Sequence, residues 1–251
     1  MTLPVNKAAV ARAFGRAAGH YEQHAELQRR CGDALLALAP PLADGDLLDA
    51  GCGTGWYSRL WQQRGQRVVA LDLSPQMLRQ ARSLDAASGY LAGDIDALPL
   101  ASRSVDCVWS NLAVQWSSDL RTALQQFARV LRPDGVMLFS TLLAGSLHEV
   151  HAAWRSLGPG EHANRFLTEE QVRAAGAGLN LRFIHQTQVM HFPNALSAMR
   201  SLKGIGATHL HQGRDGAPLT RQRLAQLEAL WPRDAQGCRL TYQLLFGVTQ
   251  R

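Results

Sequence analysis

The sequence predicts an α/β protein built around a mainly parallel sheet. Past residue 46, short β-branched or apolar runs alternate with helical patterns. The first of those runs leads directly into a glycine-rich turn that opens a helix. The 251 residues are 46% hydrophobic and 18% charged, with no internal repeat or low-complexity tract, which suffices for one large or two small cored domains. Disorder and a coiled coil are excluded. The longest apolar patches, around Leu35 to Leu42 and Leu244 to Val248, are too short or too broken by proline to make a membrane span.

Two helical patterns precede the first strand. Val10, Phe14, Ala17 and Tyr21 share one face, while Arg12, Arg16, His20 and His24 line another at i, i+4 spacing. A second helix carries the apolar stripe Leu27, Cys31, Ala34, Leu35 and Leu38. Strands are expected at Asp46–Ala50, Arg67–Asp72, Tyr90–Gly93, Val105–Ser110 and Val136–Leu142, with helices between them. Ser74 as N-cap, with Pro75 at the first helical position, opens a helix carrying Met77, Ala81 and Leu84 on one face. Another begins at Asp119, places Leu120, Ala123, Leu124, Phe127 and Leu131 at helical spacing, and stops at the turn Arg132-Pro133-Asp134-Gly135. Beyond Thr141 the rhythm changes. Thr168 and Gln171 form a capping box for a short helix ending near Gly176 or Gly178. Arg182–Phe192 and Leu240–Thr249 read as two long strands, and the largely helical stretch between them is too long for a hairpin loop.

A net charge of +6 and a pI near 9.6 fit a nucleic acid, an anionic membrane or an acidic protein as partner, and the sign alone does not choose. Lys7 and Lys203 are the only lysines among 26 basic residues. Cys31, Cys52, Cys107 and Cys238 are widely spaced with no C-x-x-C, which suggests neither a zinc knuckle nor a disulfide framework and leads to the expectation of a reducing, cytoplasmic location. The Arg-containing start lacks the apolar stretch of a secretion signal and reads as part of the mature protein.

The strongest chemical signal is Asp49-Ala50-Gly51-Cys52-Gly53-Thr54-Gly55, between an apolar strand and a helix. Glycines at i, i+2 and i+4 let the backbone turn tightly and approach a ligand, with helix N-terminal amides facing it. A dinucleotide fingerprint would need glycine where Trp56 stands, and the Gly-Lys-Ser/Thr of a P-loop is absent. Asp72 closes the next strand, where a carboxylate accepts both ribose hydroxyls of an adenosine and repels a 2′-phosphate. Asp94 follows the third strand in Gly93-Asp94-Ile95, placed to accept an adenine amino group while the Ile95 amide donates to the ring.

Together these residues resemble the cofactor motifs of the class I S-adenosylmethionine-dependent methyltransferases, over residues 45–142. The resemblance implies a Rossmann-like seven-stranded sheet with helices on both faces and an antiparallel last strand. It implies ligation of the methionine end by Asp49, Gly51, Cys52, Gly53 and Gly55, of the ribose by Asp72 beside Leu73, and of the adenine by Asp94 and Ile95. Asn111 and Leu112 would line the reacting methyl. Outside that core, Lys7, the run Ala13-Phe14-Gly15-Arg16-Ala17-Ala18 with Tyr21-Glu22, Ser110 to Trp116, and above all Ser201-Leu202-Lys203-Gly204-Ile205-Gly206-Ala207 resemble the malonyl-acyl carrier protein methyltransferases of biotin synthesis. One domain over 1–251 is then expected, with a helical cap at 1–40, the cofactor-binding core at 45–142 and a helical substrate lid at 194–235.

That resemblance implies an acyl carrier protein bearing malonyl as partner, and neither nucleic acid nor membrane. A malonyl carboxylate is ionised at neutral pH and is its own nucleophile, so no general base is required, only alignment and exclusion of water. Tyr21, Arg200 and Lys203 are the candidates for orienting the substrate carboxylate, although Tyr21 also fits an amphipathic core position. The insert carries Arg200, Lys203, Arg214, Arg221, Arg223 and Arg233 against Asp215, Glu228 and Asp234, a basic face suited to an acidic carrier. No metal is expected. His148-Glu149-Val150-His151 lacks the H-E-x-x-H spacing, and His209-Leu210-His211 has no evident third ligand. Cys52 is a nucleophile by position but inert by its apolar surroundings. A methyltransferase acting on a quinone or another small metabolite is the alternative. An RNA enzyme is opposed by the 7% aromatic content and the lack of an aromatic-basic strand.

Overall fold

The computed structural model describes residues 5–157, 164–204 and 220–250. Helix α1 (Lys7–Ala17) is capped by the Asn6 side chain, and α2 (Glu26–Ala37) follows a 3₁₀ turn at Tyr21–Gln23. Five strands then run in parallel: β1 (Asp46–Ala50), β2 (Arg67–Asp72), β3 (Gly89–Ala92), β4 (Val105–Asn111) and β5 (Leu131–Leu142). Their crossovers hold α3 (Trp56–Gln63), α4 (Pro75–Ser83) and α5 (Leu120–Val130). Beyond β5 lie α6 (His148–Arg155), α7 (Glu169–Ala175), β6 (Leu181–Phe192), α8 (Ala195–Gly204), α9 (Arg221–Leu230), the two-residue β7 (Arg233–Asp234) and β8 (Gly237–Thr249).

The sheet order is β3-β2-β1-β4-β5-β8-β6, with β7 paired to β8 as a short hairpin arm. The seven-stranded path therefore matches the expected sheet, and β8 inserts antiparallel between β5 and β6. Both faces are covered. On β5, Val136, Leu138 and Leu142 point into one core while Met137 and Phe139 serve the other, so Val136 to Phe139 read as an unbroken apolar run. Fully buried Trp109 of β4 packs its ring 5.2 Å from Tyr57 and 5.4 Å from Trp61 of α3.

Several boundaries move. Arg132 to Gly135 does not end the pairing: β5 begins at Leu131, opposite Val105, and the ladder resumes with Cys107 opposite Val136. The four-residue turn survives as a bulge, with Asp134 at φ 63°, and the register shifts across it because residues on both sides of the turn pair with β4. Leu131, expected on the face of α5, is thus the first strand residue. Leu84 falls at the C-cap of α4 and is exposed, while Met77 and Ala81 are buried as expected. Tyr21 lies in the 3₁₀ turn and not on α1. The capping box at Thr168 and Gln171 is present. Ile205 to Ala207, His209, His211, Arg214 and Asp215 lie outside the described residues. Among the described residues no helix is long and apolar enough to cross a membrane, and no group of three or more His, Cys, Asp or Glu side chains is placed to hold a metal ion.

Candidate functional site

The order of the sheet reverses between β1 and β4, and a cleft opens at the carboxyl ends of the strands there. It has two adjoining lobes of about 630 and 420 Å³, which share Tyr21, Gly51, Gly53 and Asn111. The three loop glycines all have positive φ, at 88°, 56° and 83° for Gly51, Gly53 and Gly55. They do different work. A Cβ at Gly51 would meet Ala113 Cβ at 2.3 Å, and one at Gly55 would meet Ala86 Cβ at 2.5 Å, so these two allow the loop to pack. At Gly53 the nearest atom would be Tyr21 Cε1, 4.0 Å away. Gly53 alone faces open cleft.

Two carboxylates frame this loop. Asp49 is buried at the end of β1 and accepts a hydrogen bond from Ser58 Oγ at 2.6 Å; burial pushes its pKa up to about 7, with the Asp72 charge adding to the rise. Asp72 accepts from the Gly53 amide at 2.9 Å and from the Ser74 amide at 2.7 Å. Burial raises its pKa to about 6, and those two amides restrain the rise. Each carboxylate oxygen of Asp72 keeps a lone pair for a hydroxyl in the cleft. Burial raises the Cys52 thiol well above its usual range, which favours the inert reading of that side chain.

The larger lobe is also lined by Leu73, Asp94, Ile95 and Leu112, and α1 lies over it through Val10 and Phe14. Lys7 ties this cover down: its Nζ sits 2.7 Å from Asp94 Oδ1 and 2.9 Å from Asp96 Oδ2. Asp96 in turn accepts from Ser117 Oγ and the Ser118 amide. The smaller lobe holds Arg29, whose Nη1 donates to the Glu22 carboxylate at 3.0 Å and to the Glu22 carbonyl at 2.9 Å, while Thr54 Oγ1 donates to the same carboxylate. Tyr21 lies between the lobes. Its phenol is held above its ordinary pKa by burial and by Glu22 and Asp72, and its hydroxyl has no hydrogen-bond partner among the described residues.

Asn111 ends β4 in a closed network: its Nδ2 donates to the Gln28 carbonyl at 2.9 Å, its Oδ1 accepts from Ser140 Oγ at 2.8 Å, and Ser140 Oγ accepts from the Leu112 amide at 2.9 Å. These bonds hold Leu112 at φ 50°, a left-handed conformation unfavourable for a branched side chain.

The structure therefore brings Asp49, Gly51, Cys52, Gly53, Asp72, Leu73, Asp94, Ile95, Asn111, Leu112 and Tyr21 to one cleft, with Gly55 packed behind it. It does not bring Arg200 and Lys203 there. Both are exposed on α8, and Arg200 lines a separate cavity of about 790 Å³. Sequence reasoning left Lys7, Gln28 and Arg29 without roles. A signal for Lys7 existed: a cation at the first position of a helix opposes the helix dipole, and this is one of only two lysines.

Residues 48–139 match the methyltransferase domain family. The chain is 55% identical to the malonyl-acyl-carrier protein O-methyltransferase of Enterobacter lignolyticus, over 99% of both chains. It is also 55% identical to the Erwinia pyrifoliae protein of the same name, over 100% of this chain and 96% of that one. Among solved structures, the YcgJ protein of Bacillus subtilis superposes with a TM-score of 0.60 at 17% identity, covering 89% of this chain and 99% of that one, a likeness of fold.

Proposed function

This chain belongs to the malonyl-acyl-carrier protein O-methyltransferases, and from that premise we propose how its own residues carry the reaction. The enzyme transfers a methyl group from S-adenosylmethionine to the free carboxylate of malonyl on acyl carrier protein, giving the methyl ester that primes pimeloyl synthesis for biotin. The observation that carries this reading is the reach of the likeness: it covers both α1 and the α8–α9 insert, outside the matched methyltransferase domain, where an acceptor is selected.

The cleft fits the cofactor because the glycine loop leaves Gly53 open and Asp72 retains acceptor capacity beside it. Bound there, the cofactor supplies an electrophilic methyl on a sulfonium. Asp49 and the loop amides hold the methionine end, and Arg29, positioned by Glu22, takes its carboxylate. Asp72 accepts the ribose hydroxyls. Asp94 and Ile95 take the adenine edge, with Lys7 fixing the Asp94 carboxylate. Asn111 and Leu112 wall the reacting centre, and their network to Gln28 and Ser140 keeps that wall rigid.

The substrate carboxylate is ionised at neutral pH, so the protein has no proton to remove; it aligns the oxygen and excludes water. Tyr21 suits this role, since burial keeps its hydroxyl protonated and able to donate. Arg200 and Lys203 act on the anionic substrate from α8. Methylation masks a charge: a bare carboxylate entering an apolar acyl tunnel carries a desolvation penalty of several kcal/mol, which the ester avoids. Residues 1–40 and 194–235 serve as cap and lid of a single domain. The location is the cytoplasm, where carrier and cofactor meet.

Incubation with S-adenosylmethionine and malonyl-carrier protein, followed by mass spectrometry, should show a gain of one methyl on the acyl arm. Transfer to a quinone or other small metabolite, with malonyl-carrier protein left unmodified, would overturn this reading.

A further inference from the structure

The cavity lined by Arg200 adjoins the cofactor cleft at Gln28, which lines both this cavity and the smaller lobe. Its inner walls are apolar: Met190 of β6 and Tyr242 of β8 are buried there, and Phe192 is half-buried. Its rim is polar and open, with Arg200 exposed on α8. The cavity thus grades from a cation at its mouth to an apolar interior, and it meets the cofactor cleft at Gln28.

Two further observations describe an occupant. Gln28 Oε1 is buried and without a hydrogen-bond partner, and a turn of its side-chain amide would present it as an acceptor to an N–H or O–H donor in the cavity. Arg200 has no ion-pair partner among the described residues, whereas Glu26, the acid on the same rim, is occupied by Arg30 at 2.6 Å. An uncommitted guanidinium at a rim, whose carboxylate is already paired, selects an anion. The matching ligand is a flexible chain with apolar segments, amide N–H donors along its length and a phosphate at its outer end.

We propose that this cavity is the channel for the 4′-phosphopantetheine arm of carrier-bound malonyl, and that Arg200 holds the phosphodiester of that arm. This rests on the malonyl-carrier reading and deepens it. It separates the two anions of the substrate: the carboxylate enters deep, toward Tyr21, while the phosphodiester stays at the mouth. An exposed guanidinium suits the second, because a phosphodiester remains partly hydrated, whereas a carboxylate clamp would have to reach the reacting centre.

The test uses arms without the carrier. Protein saturated with S-adenosylhomocysteine is titrated with 4′-phosphopantetheine and with pantetheine at low ionic strength, in the wild type and in Arg200→Met. The wild type should prefer the phosphorylated arm by about tenfold, the scale of one partly screened charge-assisted hydrogen bond, and the variant should bind both arms alike. No preference in the wild type, a preference that survives in Arg200→Met, or failure of both arms to bind would overturn the proposal. Kinetics supply the second readout. Arg200→Met should lower kcat/KM for malonyl-carrier protein far more than for malonyl-pantetheine; an equal loss on both would place Arg200 on the carboxylate and sink the channel assignment. Wild-type protein that leaves malonyl-carrier protein unmethylated would defeat the functional reading instead, while the titration would still decide the arm site.

Discussion

Gly51, Gly53 and Gly55 look equivalent in the sequence, yet their surroundings separate them. Gly53→Val should abolish binding of S-adenosylhomocysteine, because its branches enter the cleft and a β-branched residue at φ 56° strains the loop, while the loss of stability stays smaller than at Gly51, where a Cβ has no room; calorimetry with circular dichroism checks both halves. Gly51→Val should instead destabilise the protein, since Ala113 leaves no room for a Cβ. Asp72→Ala should weaken the cofactor by about 1.5 to 3 kcal/mol, the range for a hydrogen bond to a charged group, without changing the acceptor; unchanged affinity would remove Asp72 from the ribose. Asp49 gives a pH signature. Its carboxyl is raised from an ordinary 3.8 to about 7 by burial, so the unliganded fold holds a proton that the unfolded chain has lost. That contribution to stability is complete below the ordinary value and disappears as pH rises through about 7. A bound cation favours the carboxylate and reverses the trend. The rise in melting temperature caused by S-adenosylmethionine should therefore grow between about pH 5 and 7, and Asp49→Asn should flatten it.

At the scale of elements, what was legible was local. The strand over Arg67–Asp72 keeps its sequence-derived ends because apolar period and glycine punctuation lie within a few residues. Ser74 and Pro75 cap α4 for the same reason. The start of β5 was not legible, since Leu131 is held extended by pairing with Val105, a tertiary constraint on residues that otherwise continue a helical pattern. The site divides similarly. Its glycine loop and the acids after successive strands could be read from order along the chain, whereas the clasp between Lys7 and Asp94 joins residues 87 positions apart and leaves no local trace. That clasp governs an element, because Lys7 is the tie from α1 to the adenine end of the cleft. Lys7→Met should loosen the cover and speed cofactor release more than it slows capture, by roughly tenfold if the partly buried ion pair contributes about 1 kcal/mol or a little more. Stopped-flow displacement resolves the two rates, and an unchanged release rate would show that α1 is held by its packing, through Val10, Phe14 and its contact with α4, and not by the clasp.

The whole molecule places its cofactor machinery on the parallel half of the sheet and its basic insert on the antiparallel half, where α6 packs on β8, α8 on β6 and β8, and α9 on α6 and α8. Within that insert the cations are not equivalent. Arg221 is exposed, and neither an ion pair nor a ring contact engages it among the described residues. Arg223 is half-buried with its guanidinium 5.9 Å from the Trp154 ring centroid, and Arg233 is held by Glu228 at 2.9 Å. An acidic carrier approaching the mouth beside Arg200 therefore meets Arg221 as free charge and Arg233 as a neutralised pair. Arg221→Glu should lower the association rate with malonyl-carrier protein, and the loss should shrink as salt brings the Debye length to roughly 8 Å and below. Turnover of malonyl-pantetheine should be unaffected, because that substrate has no acidic surface to steer. Arg223→Glu should combine a similar loss with reduced stability of about 0.5 to 1 kcal/mol, the contribution of an exposed cation–π contact. Arg233→Ala should change association little. Measuring the three variants across a salt series separates steering from packing: if all three lose association equally, net charge alone guides the carrier, and if none does, the carrier docks on a face other than the insert.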